Sequence, residues 1–394
     1  MTGPRPHAGP TLPSAGDVRS IACLMINGIG DILCVSPTIQ ALKERYPQAR
    51  MTVVVRPHLR ALLEGSPFVD ELLFYETDRP WKRPMFMWRL YRRRFDLWVD
   101  LHVPTFNTVS SNQRDFRRNA WLMRASQARY RRAYAVPELV SQLTHPVAVP
   151  AAEDLKNNNI VDTTLKLADA HSTDRYPKHM PVSAAAHTWA ASEFPDRDGG
   201  RIGLFFGSRQ AANLWPDARV LEFIDRLGHA MPTAELVLIG GEHEVALAAT
   251  IAAAPTMRGA GRPRDFVCRA SLGQTAALLA RCSALVATDS GPMHIADAMQ
   301  VPTVALFSSH NYAAIWRPVH RGSVLINHPV ECGPCFRPTC HLGNKCMDMI
   351  TPGEVLDALE SLLRPAGDTA RRSVKPPAGH AAGSARNADG VRPG

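Results

Sequence analysis

Nowhere does this chain contain the roughly 20 consecutive apolar residues that a bilayer-spanning helix needs. This holds although 45% of its 394 residues are hydrophobic. The longest early apolar run, Ile21 to Ile26, has the length of a buried strand. Met1 to Gly16 is rich in Pro and Gly and lacks the apolar core of a secretory signal, so a cytoplasmic protein with at most peripheral membrane contact is expected. The glycine loop Gly28-Ile29-Gly30-Asp31 lacks the third glycine of a dinucleotide fingerprint and the Gly-Lys-Ser/Thr of a P-loop. Acidic residues are scarce in one region. Between Arg79 and Arg132 there are fourteen Lys or Arg against three Asp or Glu, within a chain of net charge +9. Such a stretch attracts polyanions or is simply a solvated helical face. No helix-turn-helix, finger or ribonucleoprotein signature accompanies it, so no nucleic-acid partner is expected.

Two turns carry the candidate chemistry. Asp289-Ser290-Gly291-Pro292-Met293-His294 follows the apolar stretch Ala284 to Ala287 and opens a helical pattern. A small polar turn between strand and helix presents backbone N–H groups backed by the helix dipole, an arrangement that binds phosphate. Gly291 allows close approach, Pro292 suits a first helical turn, and His294 lies one turn further on. The same residues also suit a plain helix cap by Asp289 or Ser290. Near the other end, Gly28-Ile29-Gly30-Asp31 sits between strand Ile21–Ile26 and a helical pattern running from Ile32 towards Tyr46. Asp31 there is either a cap or a carboxylate at the mouth of a strand-loop-helix unit, where α/β sheets place ligands.

Short apolar runs alternate with amphipathic helices along the chain, which predicts parallel sheets covered on both faces. Expected strands are Ile21–Ile26, Met51–Val55, Glu71–Tyr75, Phe95–Leu101, Arg201–Phe206, Glu235–Ile239, Ala284–Ala287 and Thr303–Phe307. Expected helices include Thr38–Tyr46, His58–Glu64, Asp154–Ala168, Asp217–Ala230, Glu242–Ala253, Gln274–Arg281 and Pro352–Leu363. The expected organisation is a disordered tail (1–17), one Rossmann-like domain (18–175), a linker (176–200), a second such domain (201–350), a last helix (351–364) and a disordered tail (365–394). Two units in tandem put a cleft between the carboxyl ends of their strands, with Asp31 on one side and the Asp289–His294 turn on the other.

These residues resemble glycosyltransferase family 9, the ADP-heptose:lipopolysaccharide heptosyltransferases. The matching stretches are Gly30-Asp31 with Pro37, Leu42-Lys43, Pro47 and Ala49, then Asp289-Ser290-Gly291 with His294, Ala296, Pro302 and Leu306. Trp215-Pro216, Gly240-Gly241 with Glu244, and the Cys332–Met347 segment also match. The resemblance covers roughly Ile21 to Leu363. It implies an α/β GT-B architecture, two Rossmann-like domains facing each other across a cleft, with the donor held by the C-terminal one. It further implies inverting, metal-independent transfer of heptose from ADP-heptose to an anionic lipopolysaccharide inner-core acceptor at the inner membrane face, with no cofactor. Asp31 matches the base position; Ser208, Arg209, Asn213, Glu244, Asp289, Ser290, Gly291 and His294 are the donor-side candidates. Gly30, Arg92, Arg93, Arg117 and Arg118 are the acceptor-side candidates. Asn213 departs from the family, which usually has a Lys there on the donor phosphate. The nearest cation is Arg209, four residues upstream. Alternative readings keep the fold with another nucleotide sugar or acceptor (a protein hydroxyl, other glycan or natural product), or make it a catalytically silent anionic-glycolipid-binding protein.

Eight cysteines in a cytoplasmic chain are expected to be reduced. Cys332, Cys335, Cys340 and Cys346 form either a structural metal site or a set of free thiols, because one Cys-x-x-Cys spacing is followed by irregular gaps. Cys23, Cys34, Cys268 and Cys282 fall in apolar patterns and are expected in the core.

Overall fold

Apolar runs too short for a helix make the strands, and they are buried on both faces: every residue of β4 (Leu97–Asp100), β7 (Arg201–Phe205), β10 (Ala284–Thr288) and β11 (Thr303–Phe307) is buried. The structure, a computed structural model, describes residues 10–76, 79, 81–105, 113–195, 200–254 and 263–364. The N-terminal sheet adds β1 (Ser20–Leu24), β2 (Arg50–Val55), β3 (Glu71–Phe74), β5 (Tyr130–Tyr134) and β6 (His145–Val147) to β4, in the order β3-β2-β1-β4-β5-β6. The C-terminal sheet adds β8 (Glu235–Leu238), β9 (Arg264–Asp265) and β12 (Val324–Asn327) and runs β12-β11-β10-β7-β8-β9. All pairings are parallel. Each sheet therefore has the doubly wound order of a Rossmann-like domain, as expected. Strand order reverses between β1 and β4 and again between β7 and β10, and ligand crevices open at such points.

Among the described residues, the helices of eight or more residues are α1 (Ile29–Arg45), α2 (Lys82–Arg93), α3 (Gln113–Ala125), α4 (Ala184–Glu193), α5 (Asp217–Ala230), α6 (Val245–Ala253), α7 (Leu272–Leu279), α8 (Gly291–Ala298) and α9 (Pro352–Leu363). Residues up to Leu363 form one compact unit. A single apolar core continues from the first sheet through α1 and α8 into the second, joining Ile32, Leu33 and Ile39 to Met293, Ile295 and Ala296.

Several expectations are corrected. Helix α1 runs straight through Pro37, which withholds the N–H that Leu33 O would accept; Ser36 Oγ donates to that carbonyl instead, at 2.8 Å. His58–Glu64 is instead a 3-10 segment over Pro57–Leu62. The pattern Asp154–Ala168 breaks at Asn158–Asn159, where the Asn159 side chain accepts from Val161 N and caps a new helix. Within the expected linker, α4 packs on α7 with Phe194 buried below it. Strand β5 escapes an apolar search because it carries Arg131 and Arg132. Arg132 is nonetheless buried, donating to the carbonyls of Leu167 and Lys166 and paired with Asp169. Cys23, Cys34 and Cys282 are buried, but Cys268 is exposed in a turn at positive φ.

Candidate active site

The first turn of α1 places Asp31. Its carboxylate accepts the Gly28 N–H at 2.9 Å, which satisfies one orphan donor of the helix start. The side chain also stands at the carboxyl end of β1. Burial raises its pKa, and the Gly28 hydrogen bond and the charges of His102 and Arg209 only partly oppose that rise. A carboxylate held in this way is a stronger proton acceptor than one in water.

The two motif turns touch. A Cβ on Gly30 would lie 2.6 Å from the His294 ring, and one on Gly291 would lie 3.3 Å from the Ile29 side chain. Only glycine at position 30 lets α1 and α8 approach so closely. His294 is buried, and its Nδ1 lies 3.2 Å from Lys178 Nζ. An ammonium has no lone pair, so Nδ1 accepts and Nε2 carries the proton. Burial and the Lys178 charge push the His294 pKa down to about 3, so the ring is a neutral donor. Lys178 is fully buried and pairs with Asp297 Oδ2 at 2.7 Å. Asp297 also accepts from the backbone N–H groups of Val319 and His320. Burial opposes the Lys178 charge, but Cys34 and Asp297 raise its pKa overall. Burial pushes the neighbouring Asp289 up to about 7, and the Ser290 hydroxyl is buried without a partner.

In the second sheet, Glu244 sits at the ends of β7 and β8 and accepts the Gly241 N–H at 2.7 Å. A Cβ on Gly207 would fall 1.9 Å from its Oε1, so glycine there is what leaves room for the carboxylate. The Ser208 hydroxyl accepts from Gln210 N at 3.1 Å. Asn213 is buried, and its Oδ1 takes a 2.5 Å hydrogen bond from Ser308. Arg209 is exposed and reaches across, bringing Nη2 to 3.1 Å from where a Gly28 Cβ would be. Its charge thereby acts on Asp31.

A cavity of about 290 Å³ opens beside Asp31, lined also by Asn27, His102, Phe116, Gln210 and Trp316. His102 was not anticipated. Its Nδ1 is 2.5 Å from Asp100 Oδ1, and Asn119 Nδ2 donates to the other Asp100 oxygen at 2.9 Å. The His102 Nε2 is buried and meets no partner. The signal was present in the sequence: Asp100-Leu101-His102 ends strand β4 at the point where β1 and β4 part. Lys178 offered no such signal within its Pro-rich surroundings.

None of Arg92, Arg93, Arg117 and Arg118 lines this cavity. Arg93 pairs with Glu71 at 2.5 Å and Arg118 with Asp115 at 2.6 Å, while Arg92 and Arg117 are exposed. The cysteines are not gathered either. Among the described residues no three His, Cys, Asp or Glu side chains converge as a metal set. Cys346 is buried and accepts from Ser309 N, whereas Cys332 is exposed. The Cys332–Cys346 segment instead braces the loop around Ala211 and Ala212, with Ala212 N donating to Pro338 O and Asn344 Nδ2 to Ala211 O.

The sequence profile of glycosyltransferase family 9 (heptosyltransferase) matches residues 97–346. The chain belongs to glycosyltransferase family 9. Over 313 residues it is 21% identical to the lipopolysaccharide core heptosyltransferase OpsX of Haemophilus influenzae, covering 74% of this chain and 80% of that one. A shorter match, 31% over 88 residues, links it to lipooligosaccharide heptosyltransferase 2 of Campylobacter jejuni; it spans 22% of this chain and 28% of the relative. The solved structure of Escherichia coli ADP-heptose lps heptosyltransferase II shares the fold of this family 9 chain. Its TM-score is 0.68 at 22% identity, over 87% of this chain and 98% of that one.

Proposed function

We propose that this family 9 glycosyltransferase moves heptose from ADP-heptose to an anionic lipopolysaccharide inner-core acceptor, with inversion and without a metal ion, as a peripheral protein of the inner membrane face. The observation that carries the reading is that the Gly30-Asp31 turn, whose Asp31 lines a cavity, packs against the Gly291–His294 turn. The acceptor hydroxyl enters from the N-terminal side and its oxygen attacks the anomeric carbon. Asp31 takes the hydroxyl proton, and the bond from that carbon to the ADP oxygen breaks on the opposite face. The leaving diphosphate meets the N-terminus of α8, the His294 Nε2–H donor and the Arg209 guanidinium. Preorganised dipoles and cations of this kind stabilise developing charge. Glu244 faces the ribose, and His102, oriented by Asp100, offers its Nε2 for a hydrogen bond to a hydroxyl of the acceptor sugar.

The test is ADP release from ADP-heptose in the presence of a Kdo-bearing inner-core acceptor. Asp31→Asn is expected to lose at least about 10²-fold in turnover, since a general base contributes that much or more. ADP affinity, measured by calorimetry, should stay near wild type. Turnover above about a tenth of wild type would place the base elsewhere. Loss of turnover in a chelator would remove the metal-independent part of the reading. Asn213 favours a second reading with a different donor: its oxygen is bound to Ser308, where the family has a phosphate-binding Lys. Efficient turnover of another ADP-sugar in the same assay would establish it.

A further inference from the structure

We infer that the outer faces of α2 and α3 form a surface that docks on an anionic lipid bilayer. This rests on the peripheral-membrane part of the function proposed above and says which residues make the contact. Both helices have already committed their inner faces to folding: Phe86 and Leu90 of α2, and Phe116, Ala120 and Met123 of α3, belong to one buried cluster. The two helices pack against each other on that cluster.

Their outer faces are apolar where solvent-facing helices are normally polar. Trp81 caps α2 and, with Met85, Trp88 and Arg92, follows steps of four, three and four residues, so the four share one side of the helix. Trp81 is 59% exposed, Met85 43%, Trp88 55% and Tyr91 50%; on α3, Trp121 is 67% exposed. These are five of the twelve large apolar side chains exposed among the described residues, and all five lie on or at the start of these two neighbouring helices. Around them stand the exposed Arg89, Arg92, Arg114, Arg117 and Arg124. None of these arginines pairs with a carboxylate among the described residues, and α2 contains no acidic residue. Arg114, Arg117, Trp121 and Arg124 again share one side, at steps of three, four and three. Arg92 stacks on Trp88 at 4.9 Å.

Indole rings between arginines fit the headgroup layer of an anionic membrane. The ring enters the acyl boundary while its N–H stays wet, and the arginine stem lies along the apolar surface with its charge at the phosphates. The faces of two adjacent helices offer a bilayer a broad contact. A nucleic acid tracked by a positively charged groove would call for a different shape. The position also fits the chemistry, since Asp115 and Phe116 at the start of α3 line the Asp31 cavity. A bilayer against α2 and α3 would bring a lipid-borne acceptor to that opening.

The experiment is sedimentation of the full chain with vesicles of phosphatidylcholine, with and without phosphatidylglycerol. Wild-type protein is expected to bind the anionic vesicles, to bind less as salt rises, and to ignore the neutral ones. The double substitution Trp88→Ala, Trp121→Ala should weaken vesicle binding by about ten-fold or more. Reversal at Arg89→Glu, Arg92→Glu and Arg117→Glu should abolish it. Quenching of tryptophan fluorescence by brominated lipid should fall in the double Trp variant. That variant should release ADP at the wild-type rate with a soluble, delipidated acceptor, so loss of docking and loss of transfer are read separately. The inference is overturned if wild type ignores anionic vesicles or if binding survives both sets of substitutions. Displacement by duplex DNA or RNA at lower concentration than vesicles would assign the patch to nucleic acid instead.

Discussion

At the level of single residues, the site is governed by which charges burial permits. Asp31 keeps a raised pKa because burial outweighs the opposing charges of His102 and Arg209. Removing Arg209 removes one of those charges, so Asp31 should hold its proton to higher pH. Arg209→Ala is therefore expected to move the acidic limb of the kcat/KM profile upward. It should also weaken ADP binding about ten-fold or more, the size of a lost charge-assisted bond. An unmoved limb in a pH–rate series would show that Arg209 does not act on Asp31. His294 and Asp289 make a second, compensating pair. The unfolded His294 titrates near 6.5 but the folded one near 3, so the stability this residue contributes is present above 6.5 and is lost as pH falls towards 3. Asp289 runs the other way. Its folded pKa of about 7 against 3.8 unfolded makes stability fall as pH rises from 3.8 to 7. Between 3.8 and 6.5 the two slopes, each about 1.4 kcal/mol per pH unit, cancel. His294→Gln removes one of them. In ligand-free protein, urea midpoints of that variant should fall more steeply with rising pH across this window than those of wild type.

At the level of the element, α1 is the piece on which the site is hung. It begins at a glycine cap, presents Asp31 in its first turn, passes through Pro37 with Ser36 taking up the freed Leu33 carbonyl, and packs on α8. Gly30 is the point of closest approach. Gly30→Ala adds one methyl carbon 2.6 Å from the His294 ring, a distance that forces α1 and α8 apart. Overpacking at such a place is expected to destabilise by about 1–3 kcal/mol. It should reduce turnover more than it reduces melting temperature, because it separates Asp31 from the Gly291–His294 turn. Equal ADP release from the alanine variant would mean that this spacing is not required. The approach is decided jointly by two segments more than 260 residues apart in the chain, so neither segment alone discloses it.

At the level of the whole molecule, the two sheets are joined by an apolar core with an ion pair in it. Lys178 belongs to neither sheet, yet its ammonium is fully buried between α1 and α8 and bonded to Asp297. Breaking a buried pair leaves an uncompensated charge. Lys178→Met is therefore expected to cost about 3–5 kcal/mol, whereas the double variant Lys178→Met, Asp297→Asn should recover much of that loss. Denaturant titrations of the three proteins check this; a double variant no better than the single would show that Lys178 is needed for more than neutralising Asp297.

Much of the architecture was legible in the chain alone, because hydrophobic periodicity is local. Strands such as Met51–Val55 and Thr303–Phe307 are apolar but for one threonine each and buried over their whole length, as a parallel sheet covered on both faces buries such segments. The two motif turns were legible for the same reason, each being a strand, a short glycine turn and a helix start within a few residues. What lay beyond the sequence was everything that depends on two distant segments meeting. Strand β5 was hidden because its Arg132 finds carbonyl and carboxylate partners in the Lys166–Asp169 turn. Lys178 was hidden because a lysine looks solvated until Asp297 and His294 close around it. The arginines of α2 and α3 could be counted in the sequence, but only packing determined that they stand among tryptophans on an outer face and not around the cavity. Composition and spacing determine which elements form. Burial, which is a property of the assembled fold, determines which charges are neutralised, which remain and what they face.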